Sequence, residues 1–85
     1  MMIKILEAKP VDDFRLRLEF SDAAIGIFDG RELLAKSGPL LEPLRDPAYF
    51  SRAFVDAGGL CWPNGLELSP QRLRAMVTVE EPHPV

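Results

Sequence analysis

The segment FRLRLEF, residues 14–20, alternates apolar and charged side chains without a break. This period of two is typical of a β-strand with one buried and one solvent-exposed face, because successive side chains of a strand point to opposite sides. Antiparallel sheets that are packed on one face give the pattern, whereas a strand buried on both faces is continuously apolar. The segment therefore predicts an antiparallel sheet. The alternating apolar residues are Phe14, Leu16, Leu18 and Phe20.

Two shorter apolar segments flank this strand. IKILEA, residues 3–8, predicts a first strand that ends before Pro10, and AIGIF, residues 24–28, predicts a third strand through Ile25 and Ile27. The connections are short, as in strands that pair with their sequence neighbours. We therefore expect the N-terminal third of the chain to be an antiparallel meander.

Three short helices are predicted from residues that cap helix N-termini. Asp29 offers a carboxylate to the first helical N–H groups, and Glu32 stands three residues on, in the capping-box position. Asp46 and Ser69 are each followed by Pro, which favours the first helical position. A stripe at i, i+3 and i+4 of the last helix consists of Leu73, Met76 and Val77. Such a stripe predicts that the last helix packs on the sheet.

The segment RAFVDAGGLCW, residues 52–62, predicts a β-hairpin that turns at Gly58-Gly59, since both glycines can adopt the positive φ of a type I′ turn. The predicted fold class is α+β: a small antiparallel sheet, made of the N-terminal meander plus this C-terminal hairpin, with short helices. Residues 1–78 are predicted to form a single domain. Residues 79–85 are polar and rich in Pro, which predicts a flexible C-terminal tail.

Size and charge restrict the functions open to the chain. With 85 residues it has a thin core, which favours a partner subunit that covers apolar surface. The net charge of −3 gives no general electrostatic attraction to phosphate backbones. The charged N-terminus does not resemble a signal peptide, and no apolar run reaches the roughly 20 residues that span a bilayer. We therefore expect a cytoplasmic protein without membrane association.

Few residues suit catalysis. A nucleophilic Cys61 would need a base, and the one histidine, His83, falls in the predicted tail. Cys61 is therefore interpreted as a small buried apolar residue. The adjacent acidic pairs at residues 12–13 and 80–81 do not have the spacing of metal ligands. We predict no enzyme and no catalytic, metal-binding or cofactor-binding residue.

The sequence favours an interaction surface over a catalytic site. Trp62 is interpreted first as a core or rim residue, with a stacking platform for a ligand as the alternative. Arg72 and Arg74, in the last helix, are interpreted as solvated charges; pairing with Glu67 or contact with an anionic partner are the alternatives. The candidate interaction surface consists of Trp62, Asn64, Arg72, Arg74 and Tyr49.

The order of motifs resembles the small prokaryotic family catalogued as domain of unknown function 2442. After the meander come FDGRELL, PLRDPAYF, the hairpin and WPNGLELSPQRL, so the resemblance spans residues 3–76. Its most specific part is Trp62, Asn64 and Gly65, then Leu68, Pro70 and Leu73, with Leu44 to Phe50 as a second anchor. Where the family usually has Asp-Gly in the turn before the third strand, this chain has Asp22-Ala23.

The resemblance implies an α+β domain that in some relatives precedes a helix-turn-helix domain. It also implies a gene neighbourhood similar to that of toxin–antitoxin pairs, and it implies no catalytic residue. The function predicted first is a protein-interaction or regulatory module, antitoxin-like, whose partner is a small protein or a second copy. A homodimer is expected to cover sheet edges. The alternatives are a nucleic-acid-binding accessory protein and a small ligand-binding protein with a pocket near Trp62 and Cys61.

Overall fold

A computed structural model of the chain describes the backbone of residues 2–80 and the side chains of residues 2–77. Three strands, a group of short helices, three further strands, a last helix and a final strand follow one another along this part of the chain, which confirms the α+β class. The strands are β1 (Ile5–Asp12), β2 (Arg15–Phe20), β3 (Ile25–Asp29), β4 (Phe54–Asp56), β5 (Gly59–Cys61), β6 (Glu67–Leu68) and β7 (Thr78–Glu80). The helices are α1 (Gly30–Leu34), α2 (Pro47–Phe50) and α3 (Pro70–Met76), with a 3-10 turn at Glu42–Arg45.

The first sheet has the strand order β1-β2-β3-β7 and contains the predicted meander. β1 is longer than predicted, because it continues through Pro10 to Asp12. A strand at the edge of a sheet tolerates Pro, since a backbone N–H that points away from the sheet has no ladder partner to lose. Register shifts on either side of residues 7–10 mark two irregularities in the pairing of β1 with β2. Edge strands with Pro, charges and bulges resist pairing with further strands.

The inner face of β2 supplies three of the buried residues of the core, as its alternation predicts: Leu16, Leu18 and Phe20. The contribution of β3 differs from the prediction. Phe28 lies opposite Leu16 and shares its buried face, whereas Ile25 and Ile27 are only half-buried on the other side. Apolar residues occupy both faces of β3, so the period of two does not reveal which face is inward.

The C-terminal hairpin belongs to a second sheet, with the order β4-β5-β6, and is not part of the meander sheet. Its turn is one residue earlier than predicted: positive φ angles occur at Ala57 (50°) and Gly58 (83°). Gly59 instead begins β5, where a Cβ would lie 3.1 Å from the carbonyl oxygen of Leu68. The absence of a side chain on Gly59 therefore allows β5 and β6 to pack closely. A hydrogen bond of 2.8 Å from the N–H of Ile5 to the carbonyl of Gly58 joins the two sheets.

The three predicted N-cap residues are confirmed, but among the described side chains Glu32 forms no capping-box hydrogen bond with Asp29. Carboxylates of Asp29 and Asp46 and the hydroxyl of Ser69 accept hydrogen bonds from the first N–H groups of α1, α2 and α3. The last helix packs against β3, with Leu73 fully buried. The chain then forms β7, which pairs with β3 and was not predicted. The predicted boundary of the tail, at residue 79, falls within β7, and residues 81–85 lie outside the described residues.

Candidate functional site

Trp62 lies in the core, as its first interpretation predicts, with 1% of its side chain exposed. Its indole N–H donates a 3.0 Å hydrogen bond to the carbonyl of Phe50, and the two rings lie 5.7 Å apart between centroids. A buried indole satisfied in this way stabilises the fold and offers no surface to a ligand. Trp62 therefore does not belong to an interaction surface of this chain as folded.

Asn64 acts within the chain. Its side-chain amide donates a 2.9 Å hydrogen bond to the carbonyl of Leu40, and its carbonyl oxygen accepts one of 3.2 Å from the N–H of Leu66. The first bond ties the turn after Trp62 to the connection between α1 and the 3-10 turn, and the second holds the turn itself. Both functions of the amide group are used, which identifies Asn64 as a structural residue.

The predicted cations have different neighbours. Arg74 pairs with Asp22 at 3.2 Å and lies 5.7 Å from the ring centre of Phe20, whereas Arg72 is exposed. The N–H of Ala24, and next the Arg74 guanidinium, hold the pKa of Asp22 below its ordinary value. Pairing of Arg74 with Glu67, which the sequence left open, does not occur.

Tyr49 is half-buried, with the guanidinium of Arg52 5.6 Å from its ring centre. Four of the five predicted residues thus contact another residue of this chain; they are Trp62, Asn64, Arg74 and Tyr49. Of the five predicted residues, one is buried (Trp62), one is exposed (Arg72) and three are half-buried (Tyr49, Asn64 and Arg74).

One end of the first sheet carries alternating charges. Arg15 pairs with Asp12 at 2.6 Å, and Arg31 pairs with Asp29 at 2.7 Å. These guanidinium groups hold the pKa values of the two carboxyls below their ordinary value of 3.8. An open cleft of about 340 Å³ lies beside them; it is lined by Asp12, Asp13, Phe14 and Arg31. Each ion pair is local, and a 2.7 Å hydrogen bond from the N–H of Gly30 to the carbonyl of Phe14 joins the turn between β1 and β2 to α1.

Cys61 is buried, as predicted. Burial, followed by the nearby carboxylates of Glu67 and Asp56, raises the pKa of its thiol, which favours the unreactive protonated form. His83 lies outside the described residues. Within the part of the chain that the structure describes, no three His, Cys, Asp or Glu residues are grouped as metal ligands.

Large apolar side chains are exposed mainly along sheet edges. Leu6 (59% exposed) and Val11 are on β1, Met2 precedes β1, and Phe54 (45% exposed) is on β4. β1 and β4 are edge strands of their sheets and lie against each other. Leu40 is also exposed but is in a connection. The sequence weakly indicates the exposure of two of these residues. Residues 5–6 and 54–55 are adjacent apolar pairs, and the two members of such a pair point to opposite faces of a strand.

The outward face of the second sheet combines one of these apolar residues with two acids. Phe54 is paired with Cys61, which is paired with Glu67, so the three side chains form a row across the sheet. Asp56 shares this face because it is two residues from Phe54. Among the side chains that the structure describes, neither Asp56 nor Glu67 has a cation within 4.0 Å.

These features define a small α+β protein with two antiparallel sheets and an apolar, partly acidic edge. The model of a family described as "Protein of unknown function (DUF2442)" matches residues 5–78, so the chain belongs to this family. The resemblance inferred from the motifs is thereby confirmed. No curated protein and no solved structure matches the chain. Over residues 2–80, no helix is long and apolar enough to cross a membrane.

Proposed function

We propose that this chain is a protein-interaction module. The observation that supports the proposal is the position of the exposed apolar side chains, above all Leu6 and Phe54, on two edge strands that adjoin each other. Exposed apolar groups that cluster on a small protein mark surfaces that a partner covers. Side chains spread singly over the surface would carry no such meaning.

The partner binds through side chains of the two edges rather than by adding a strand to β1. Pro10 lacks an N–H, and β1 has irregular pairing near both of its ends. Both features hinder the addition of a further strand. Side-chain contacts at Leu6 and Phe54 do not depend on a free backbone edge.

The finer proposal is that the partner is a small protein encoded beside this chain and neutralised by it, as in toxin–antitoxin pairs. The gene neighbourhood implied by the family supports it. Self-association into a homodimer and binding of nucleic acid are the other outcomes that an experiment must separate.

The test is a pull-down of the tagged chain from cells of its natural host, with mass spectrometry of the captured proteins. Wild type is compared with Leu6→Lys and Phe54→Lys. A matched control is Leu40→Lys, which places the same charge on an exposed leucine away from the edge strands. We expect one stoichiometric protein that is captured by wild type and by the control and is lost from both edge variants, because a buried unpaired lysine is costly at an interface.

The captured protein identifies the type of partner. The product of an adjacent gene would support the antitoxin-like role, and light scattering of the purified chain would reveal a homodimer. Capture of nucleic acid that disappears as salt rises would replace the proposal with nucleic-acid binding. A wild-type sample that captures nothing, or edge variants that capture as wild type does, would overturn the proposal.

A further inference from the structure

Phe54 and Asp56 have the same spacing in the sequence as Phe20 and Asp22, which an arginine contacts together. At the end of β2, Phe20 is followed two residues later by Asp22, and Arg74 lies over the Phe20 ring while its Nε donates to the Asp22 carboxylate at 3.2 Å. The guanidinium thus contacts an aromatic ring and a carboxylate at the same time. On the outward face of the second sheet the same spacing occurs without a described arginine in contact.

A second carboxylate strengthens the resemblance. Glu67 is in the same cross-strand row as Phe54, and one of its carboxylate oxygens lies 3.6 Å from the position that a Cβ on Gly59 would occupy. Gly59 is paired with Asp56, so both acids border the same part of the face. Gly59 itself is buried, and the backbone oxygens of Leu68 and Asp56 also lie within 4 Å of that Cβ position. The acids therefore give the face a net negative charge beside an exposed ring.

Lys4, which directly precedes β1, lies beside the hairpin turn of the second sheet. Its aliphatic carbons approach Gly58, at the turn of the hairpin. It forms no ion pair with Asp56 or Glu67 within 4.0 Å. Among the described side chains, no cation therefore forms an ion pair with either carboxylate.

We propose that this face binds an arginine of the partner protein, with the guanidinium stacked on Phe54 and facing Asp56 and Glu67. The inference rests on the proposed function, because it assigns a chemistry to the partner at one of the edges described above. Arginine fits better than lysine, since its planar group stacks on a ring and pairs with a carboxylate at the same time. Phosphate groups of nucleic acids or lipids are repelled by the acids, so the partner is a protein segment.

The test uses a fluorescein-labelled hexapeptide of alternating valine and arginine, with fluorescence anisotropy at low ionic strength. Two further peptides replace every arginine with lysine or with citrulline, a neutral isostere. We expect binding of the arginine peptide, weaker binding of the lysine peptide and none of the citrulline peptide. Phe54→Leu, which keeps an apolar residue, is expected to weaken binding about fivefold because it removes the cation–π contact.

The double variant Asp56→Asn with Glu67→Gln removes both charges from the face. Its matched control is Asp13→Asn with Glu32→Gln, which changes the net charge equally at two exposed acids outside the face. We expect the first to weaken binding about tenfold and the control to bind as wild type does. Circular dichroism confirms that each variant is folded. Equal effects of the two double variants, equal binding of the citrulline peptide or no binding at all would overturn the inference.

Using the same two double variants in the pull-down distinguishes a failure of this inference from a failure of the proposed function. Capture that is lost with Leu6→Lys but unchanged by Asp56→Asn with Glu67→Gln would retain the interaction module and refute the arginine site. If Asp56→Asn with Glu67→Gln loses the captured protein and the control double variant retains it, the result supports both the proposed function and the arginine site. A wild-type chain that binds the arginine peptide but captures no protein would refute the proposed function alone.

Discussion

Phe50 and Phe54 are four residues apart and have opposite surroundings. Phe50, at the end of α2, is 0% exposed and lies among aromatic rings, with centroid distances of 5.7 Å to Phe14 and to Trp62 and 6.4 Å to Phe28. Its backbone carbonyl also accepts the indole N–H of Trp62. Phe54, on the edge strand β4, is 45% exposed and shares the outward face of its sheet with two acids.

Within this short segment, one phenylalanine contributes to stability and the other is available for function. A ring that contacts other rings on several sides contributes to folding whether or not a partner exists. A ring that remains exposed beside unpaired charges contributes little to folding and is available for binding. We therefore assign the aromatic cluster around Phe50 to the fold and Phe54 to the interaction surface.

The largest expected effect tests this assignment directly. Phe50→Ala should lower the free energy of unfolding by about 3–5 kcal/mol, because it leaves a cavity in the core. Phe54→Ala should lower it by less than about 1 kcal/mol, because the ring is already partly hydrated. Urea unfolding monitored by Trp62 fluorescence measures both. If Phe50→Ala does not fold, Phe50→Leu should still cost about 1–2 kcal/mol. Equal losses at the two positions would contradict the assignment.

A smaller expected effect tests how tightly the Phe50 ring is packed against α1. A Cβ on Gly30, the first residue of α1, would overlap the Phe50 ring and lie 3.1 Å from the carbonyl oxygen of Phe14. Gly30→Ala should therefore lower the free energy of unfolding by about 1–3 kcal/mol through overpacking. The control is the double variant Gly30→Ala with Phe50→Leu, whose loss should be less than the sum of the single losses. Additive losses would show that the ring does not restrict this position.

The smallest expected effect tests whether the Phe54 ring shields the thiol of Cys61. Phe54 is paired with Cys61, whose thiol pKa is raised by burial. Phe54→Ala should let water reach the thiol, bring its pKa closer to the ordinary value and increase the rate of alkylation by iodoacetamide at pH 8 by about threefold. Mass spectrometry measures the rate. Leu40→Ala, another exposed apolar residue, should leave it unchanged, and an unchanged rate for Phe54→Ala would show that the ring does not shield Cys61.

Local features were predictable because neighbouring residues suffice to specify them. The alternation of β2 identified Leu16, Leu18 and Phe20 as buried, and cap residues such as Ser69 located the helices. For Trp62 the sequence favoured a core or rim position but also included it in the candidate interaction surface, and its burial decides for the core. The exposed ring of Phe54 did not, because Phe54 and Val55 are adjacent apolar residues and only contact with the rest of the molecule decides which one faces inward.

The sequence by itself determined the α+β class, the meander, the caps and the family, since periodicity and capping depend on residues a few positions apart. The tertiary structure decided that the hairpin forms its own sheet, that Asp22 rather than Glu67 pairs with Arg74, and that acids border Phe54. These arrangements join residues far apart in the chain. They depend on how the two sheets pack, which no short segment of the sequence encodes.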